Sequence, residues 1–401
     1  MASVKDMGMY KFNYSDCRKI SKEDYDKLVK SGCSPRNNDI LIAKDGSPLS
    51  NIFIYKEEYP MVLLSSIAII RTNENKILPK FLKYYLQNPS IKKYIQTTYT
   101  SGSVIPRIIL KDFKKFPINY PNIENQNKII NILERIDKKI EVNENINKNL
   151  DELCHLIFKY YFIDFIPFQN NEFIDTEIGE IPKGWNITTV GDILDCKLGG
   201  TPSRSNENYW GGDIAWINSG KVNEFRILEA SEYITELGLK KSATKLLPAK
   251  TTVIAITGAT LGQISLLEID SCANQSVIGV IPNKKYPYEF VYPLISSILF
   301  DLLKHQTGGA QQHINKNNVE SFKIVSPPEN IISEYKNIVS SLYSQISANC
   351  FEIENLTKLR DTLLPKLMSG EIDVSKINCD LKYEINNLTL KLKNKLIEVV
   401  I

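Results

Sequence analysis

The sequence predicts a mixed α/β protein built from two similar units, each followed by one long helix. Three observations carry that prediction. First, "DILIAKDGSPLSNIFIY" (39–55) and "TTVIAITGATLGQISLL" (251–267) each spell an apolar run, a small polar turn and a second apolar run. Gly46 and Gly258, Leu49 and Leu261, and Ile52 and Ile264 all stand 212 positions apart. Second, the correspondence keeps its order: "LSSIAII" (64–70) answers "NQSVIGVI" (274–281), "TSGSVIPR" (100–107) answers "TGGAQQHI" (307–314), and "FPINYP" (116–121) answers "FKIVSPP" (322–328). Third, both copies then run into a long amphipathic stretch at one constant offset, 206. Loops tolerate insertion and regular elements do not, so offsets that drift in loops and hold in elements mark a duplication.

In chain order, the first α/β unit covers residues 1–121. It is short: "RKISKEDY" aligns with "EYITELGL", which places residues 2–6 opposite 216–220 and leaves nothing to answer 177–215. A first helix follows over 122–163. Ile129, Ile136, Asn143, Leu150 and Ile157 recur every seven residues, with Leu133, Ile140, Asn147 and Cys154 filling the second seam position. Some 33 residues at 1.5 Å each make a rod of about 50 Å. Residues 164–176 read as a connector and 177–328 as the second unit. The second long helix, 329–370, repeats the register through Tyr335, Leu342, Asn349, Leu356 and Leu363, with Val339, Ile346 and Ile353 beside them. Gly370 is its C-terminal signal. Asn143 and Asn349 share one heptad position, where a polar side chain costs stability but fixes register; a wet edge is the plainer alternative. The tail, 371–401, reads as helical and mixed in charge.

Composition bounds the function. The 401 residues carry 49 Lys+Arg against 46 Asp+Glu, a net +3, so any DNA-facing surface must be a local patch. Seven cysteines without a C-x-x-C pair read as reduced thiols. "MASVKDMGMYKF" lacks the apolar core of a signal peptide, and no apolar run is long enough to span a bilayer, so a cytoplasmic location away from membranes is expected.

Catalytic signatures are missing. Three histidines form no H-E-x-x-H, and the phosphate-cradling G-x-x-x-x-G-K-[ST], dinucleotide-binding G-x-G-x-x-G and G-x-S-x-G motifs are absent. One enzyme reading has a foothold. Asp45 upstream of Glu74-Asn75-Lys76 matches the Asp…Glu-x-Lys pattern of Mg²⁺-dependent nucleases, but the second repeat puts Thr257 opposite Asp45. The loops instead carry glycines and small polar groups: "KLGGTPSRSNENYWGG" (197–212), "NSGK" (218–221), "TGAT" (257–260), "ANQS" (273–276) and "GGAQQHINKNN" (308–318). Amides pair with adenine, Arg and Lys with guanine, while hydroxyls and backbone amides hold phosphates. Each loop alone is ordinary turn chemistry. Across two copies, a recognition surface is the better reading. Two similar units separated by paired rods suit duplex DNA, whose half-sites repeat every ~34–36 Å. A coiled-coil scaffold without DNA contact is the remaining alternative.

The stretches "EIGEIPKGWNITTVGDIL", "GGTPSRSNENYWGGDIAWINSGKV", "TGATLGQISLL", "NQSVIGVIP" and "LRDTLLPKLMSGEID" together resemble the specificity subunit of type I restriction-modification systems, over about residues 2–375. The resemblance implies two target recognition domains reading a bipartite, gapped DNA target, and two long helices packed as an antiparallel coiled coil. It also implies a chain that catalyses nothing itself. Its partners would be double-stranded DNA, two methyltransferase subunits bringing S-adenosylmethionine, and restriction/translocase subunits bringing ATP and Mg²⁺ chemistry. Carried over, the DNA-facing positions of the second domain are Thr201, Ser203, Arg204, Ser219, Lys221, Thr257, Thr260, Asn274, Gln275, Gln311 and Gln312. Those of the first are Lys44, Ser47, Ser65, Ser66, Ser101, Ser103 and Arg107. The departure is the incomplete first domain, which suggests a truncated allele, a product of recombination or phase variation, or a fragment whose missing piece is encoded elsewhere. Weakened reading of one half-site is then expected, or self-association of two copies on a symmetric target.

Overall fold

The computed structural model describes residues 1–8, 10–56, 59–102, 104–304 and 313–376. The described residues divide into two compact units, Met1–Lys139 with those from Asn355 onward, and Ile140–Glu354. The division falls inside the two long helices, Ile123–Phe162 and Glu329–Ser369, so each helix contributes one part to each unit.

The second unit is built on a five-stranded sheet. Its strands lie in the order Arg226–Ile227, Ile264–Leu267, Thr252–Ala255, Val277–Ile281, Asp195–Leu198. The β-branched central strands are buried on both faces, which is why they read as continuous apolar runs. Beside it, a four-stranded sheet is ordered Glu232–Ile234, Trp210–Ile217, Ser271–Ala273, Leu246–Leu247. A separate two-stranded ribbon pairs Asn186–Thr189 with Lys323–Ser326. Trp185, just ahead of that ribbon, is buried against Phe162, Phe165 and Phe168 with ring centroids 6.0, 5.3 and 5.1 Å away.

Among the described residues, the first unit keeps only the middle of this plan. Ile40–Ala43 is flanked by Ile52–Ile54 and Ile67–Ile70 in a three-stranded antiparallel sheet. The registers match copy for copy. Ile42 faces Ile52 as Ile254 faces Ile264, and Ala43 faces Ile67 as Ala255 faces Val277. Gly46 and Gly258 both take positive φ, 82° and 67°, at the equivalent turn, a conformation that costs glycine nothing. The Asp45–Arg107 and Thr257–His313 bridges correspond as well. Two helices follow, Pro79–Gln87 and Pro89–Thr98. Each opens on proline, which needs no amide hydrogen there, and the Asn88 side chain caps the second.

Each unit anchors its helix segments differently. In the first, Arg360 Nη1 reaches Asp137 across the helix pair at 3.3 Å, and Tyr84 donates to the same carboxylate at 2.6 Å. In the second, Asn349 donates to Asn147 Oδ1 at 2.9 Å and Asn143 donates to Glu352 at 2.7 Å, so within this unit the segments run antiparallel. Asn143, Asn147 and Asn349 are all buried, which excludes the wet-edge reading. Asn349 pairs with Asn147 rather than with Asn143, because antiparallel packing sets unlike seam positions opposite one another. The second helix continues past Pro365 to Ser369 and stops at Gly370, with φ 78°. The predicted helical tail, beyond residue 376, lies outside the described residues.

Candidate nucleic-acid interface

In the second unit the candidate loops converge because strand registers align their ends. Leu198 faces Ile278, Ala255 faces Val277 and Ile217 faces Ala273. The segments that follow 198, 217, 255 and 273 therefore leave the sheets at one end. Gly199 and Gly200 make the closest approach. A Cβ on Gly199 would lie 2.1 Å from the Asn274 carbonyl oxygen, and one on Gly200 would lie 2.6 Å from the Thr244 nitrogen. Their amides donate to Val277 and Ala273 carbonyls at 2.9 and 2.8 Å. This contact sets Thr201 beside Gln275, to which its hydroxyl donates. Thr257 follows Ile256, whose amide is held by the Ser276 carbonyl at 2.9 Å, and the Thr260 hydroxyl donates back to Thr257. Asn274 Oδ1 accepts from the Ser276 amide at 3.0 Å. Thr201, Thr257, Thr260, Asn274 and Gln275 thus form one polar group at the sheet end, and Gln275 is exposed.

The two basic candidates are engaged within the protein. Arg204 stacks 3.6 Å from the Trp210 ring centroid and forms a two-pronged ion pair with Glu232. That pairing raises the guanidinium pKa and holds the Glu232 carboxyl below its ordinary range. Lys221 lies 2.9 Å from Glu224 and 3.3 Å from Glu229. Burial works against its charge, but the two carboxylates outweigh burial and raise its pKa. Ser203 shares a hydrogen bond with Ser205 at 2.8 Å, and Ser219 is half-buried in the next loop. The sequence reading missed Glu232, Trp210 and Trp216 as the frame around Arg204; the tryptophan beside the arginine in "SRSNENYWGG" was the available signal.

The first unit repeats the arrangement on a smaller base. The Lys44 amide is held by the Ser66 carbonyl at 2.9 Å, and the Ile108 amide by the Lys44 carbonyl at 3.0 Å. Lys44, Ser47, Ser65, Ser66 and Arg107 therefore gather at the equivalent sheet end, with Ser101 paired across from Arg107. Arg107 Nε meets Asp45 at 3.0 Å while its side chain stays 60% exposed. A cleft of about 380 Å³ opens here between Ser47, Gln96, Thr100 and Pro106. Gln96 was not foreseen; it donates to the Pro48 carbonyl at 2.7 Å from a helix far along the chain. Ser103, Gln311 and Gln312 lie outside the described residues.

Matching to known families finds the type I restriction modification DNA specificity domain twice, over residues 8–152 and 182–360. The chain belongs to this family. The chain is 25% identical over 385 residues to the type I restriction enzyme HindI specificity subunit of Haemophilus influenzae, covering 80% of this chain and 83% of that protein. It is 27% identical to the MjaIX specificity subunit of Methanocaldococcus jannaschii, covering 93% and 86%. Among solved structures, the specificity subunit from M. genitalium shares the fold, with a TM-score of 0.52 at 18% identity and 83% of each chain covered. The chain is thus a non-catalytic specificity subunit, the DNA-recognition component of a type I restriction-modification system that acts with DNA and other subunits. The nuclease alternative gains nothing from the geometry. Asp45 is engaged by Arg107, Glu74 by Asn38, and no metal-holding cluster of His, Cys, Asp or Glu occurs among the described residues. No described helix is long and apolar enough to cross a membrane.

Proposed function

We propose that this specificity subunit reads a bipartite, gapped duplex, with each repeat contacting one half-site through the loops at its sheet end. The observation that carries the reading is the repetition itself: equivalent strand ends in both units bring together small hydroxyls and, in the second unit, amides. Those groups match base edges and phosphates without needing a large net charge. Thr201, Thr257, Thr260, Asn274 and Gln275 face one half-site; Lys44, Ser47, Ser65, Ser66 and Arg107 face the other. Arg204 and Lys221 shape their loops through Glu232, Glu224 and Glu229. The long helices dock two methyltransferase subunits, which supply S-adenosylmethionine for adenine methylation, and restriction/translocase subunits bring ATP and Mg²⁺. The complex works in the cytoplasm. Co-expression with the cognate methyltransferase subunit, followed by genome-wide mapping of methylated adenine, tests this. An asymmetric gapped motif supports one half-site per repeat. A palindromic gapped motif would show two copies each presenting the second repeat, and an ungapped motif or none would overturn the reading.

A further inference from the structure

The five-stranded sheet of the second unit carries loops at one end and charged tethers at the other. Thr252–Ala255 runs toward Thr257 and Ile264–Leu267 returns antiparallel beside it, so Lys250 and Glu268 meet at the end away from the proposed recognition loops. There the Glu268 carboxylate, its side chain only 2% exposed, pairs with the Lys250 ammonium and accepts from the Ser347 hydroxyl at 2.5 Å. Lys250 also donates to Ser347 Oγ at 3.0 Å. It does so from φ 68°, a left-handed conformation uncommon for a residue with a side chain. Ser347 belongs to the second long helix, Glu329–Ser369. A second tether leaves the same corner of the sheet for the other helix. The edge strand Arg226–Ile227 runs parallel to Leu266–Leu267, and the Glu268 amide donates to the Ile227 carbonyl at 2.9 Å. The buried Arg226 guanidinium donates to Asp151, on Ile123–Phe162, at 3.0 Å.

Arg226 thus reaches one helix and Glu268 the other. Within this unit the buried Asn147–Asn349 hydrogen bond locks the two helix segments together, four residues before Asp151 and two after Ser347. A single tether would act as a pivot, whereas two on different helices stop the sheet from rotating on the helix pair. That rotation matters to a reader of gapped DNA. Changing the gap by one base pair moves a half-site ~3.4 Å along the duplex and about 34° around it. From this two-point attachment we infer that Asp151 and Ser347 are positioning residues for gap length. Acting through Arg226 and Glu268, they hold the loops of the second repeat at one angle, so that one separation of half-sites is accepted. The inference rests on the proposed reading of a bipartite target and names residues that fix its spacing.

The test co-expresses the full chain with its cognate methyltransferase subunit and maps the methylated motif. The purified complex is then assayed on duplexes carrying those half-sites at the parent gap and at gaps one base pair shorter and longer. Ser347→Ala releases the helix but leaves the Lys250–Glu268 pair whole, so no buried charge is stranded; Asp151→Asn weakens the other tether. Each variant is expected to lose about tenfold of the parent's preference for its own gap, the worth of one hydrogen bond to a charged group, with the half-site bases unchanged. Ser347→Thr keeps the hydroxyl and should retain the parent's preference. Unchanged gap preference in Ser347→Ala, a uniform loss of methylation at every gap, altered half-site bases, or Ser347→Thr behaving as Ser347→Ala would overturn the inference and leave the proposed DNA reading standing. A parent complex that methylates no gapped motif would overturn that reading, and the inference with it.

Discussion

The three-stranded and five-stranded sheets are two outcomes of one repeated plan. The central strand and its two neighbours have the same order and register in both, although the flanking edges differ. The middle of the plan is local in sequence: strand, glycine turn, strand, and a third strand soon after. The edges come from segments far away in the chain, Asp195–Leu198 and Arg226–Ile227. Among the described residues, a repeat therefore keeps the loops proposed for recognition, which leave the central strands, on a narrower sheet. Loop placement depends on the middle of the sheet, and edge protection on the rest.

The tethers differ in the same direction, and mutations sharpen the contrast. Arg226 is almost wholly buried in the second unit, with its guanidinium 3.0 Å from Asp151 and 3.3 Å from the Tyr292 hydroxyl. Replacing Arg226 with Met should cost about 3–5 kcal/mol, because Asp151 loses its buried partner. The first unit's Arg360, with a side chain 26% exposed beside Asp137, should cost only about 1 kcal/mol when replaced by Met. Urea unfolding of both variants measures the two, and equal losses would break the comparison.

Next in size is recognition. Thr201→Ala with Gln275→Ala should change or lose one half-site of the methylated motif and leave the other intact. Each lost base contact is worth about 1–3 kcal/mol of discrimination. Motif mapping reads this, and loss of both half-sites together would deny that the repeats read separately. Asn349→Ala strips the Asn147 carbonyl oxygen of its donor and should destabilise the second unit by about 1–3 kcal/mol. The double change Asn147→Leu with Asn349→Leu should restore much of that loss, with stability taken from denaturant midpoints.

The smallest effect carries a pH signature. Glu289 is buried with Oε2 lacking a hydrogen-bond partner, and desolvation raises its pKa in spite of Lys336 and Lys250 nearby. As pH rises past the ordinary carboxyl value, the unfolded chain ionises first, so stability is lost through the window up to the folded pKa. Glu289→Gln should therefore match the parent near pH 3 and become more stable by about 1 kcal/mol at neutral pH. Thermal unfolding at the two pH values checks the sign; a gain largest in acid would refute it.

The sequence by itself determined the duplication, the strand–turn–strand units with their glycine turns, and both long helices. These follow from short-range periodicity: apolar runs of strand length, seams at every seventh residue, and a turn that only glycine enters without strain. It also pointed to the loops proposed for recognition, because loops follow strands. Only the tertiary structure decided which polar side chains stay available. Arg204 reads in sequence as a free base-reading cation, yet it meets Glu232, 28 residues on; Asn349 meets Asn147 across 202. Gly199 passes for a flexible loop residue until the Asn274 carbonyl appears against it. Such pairings depend on which distant backbones a fold brings within a few ångströms, and no local pattern of residues encodes that distance.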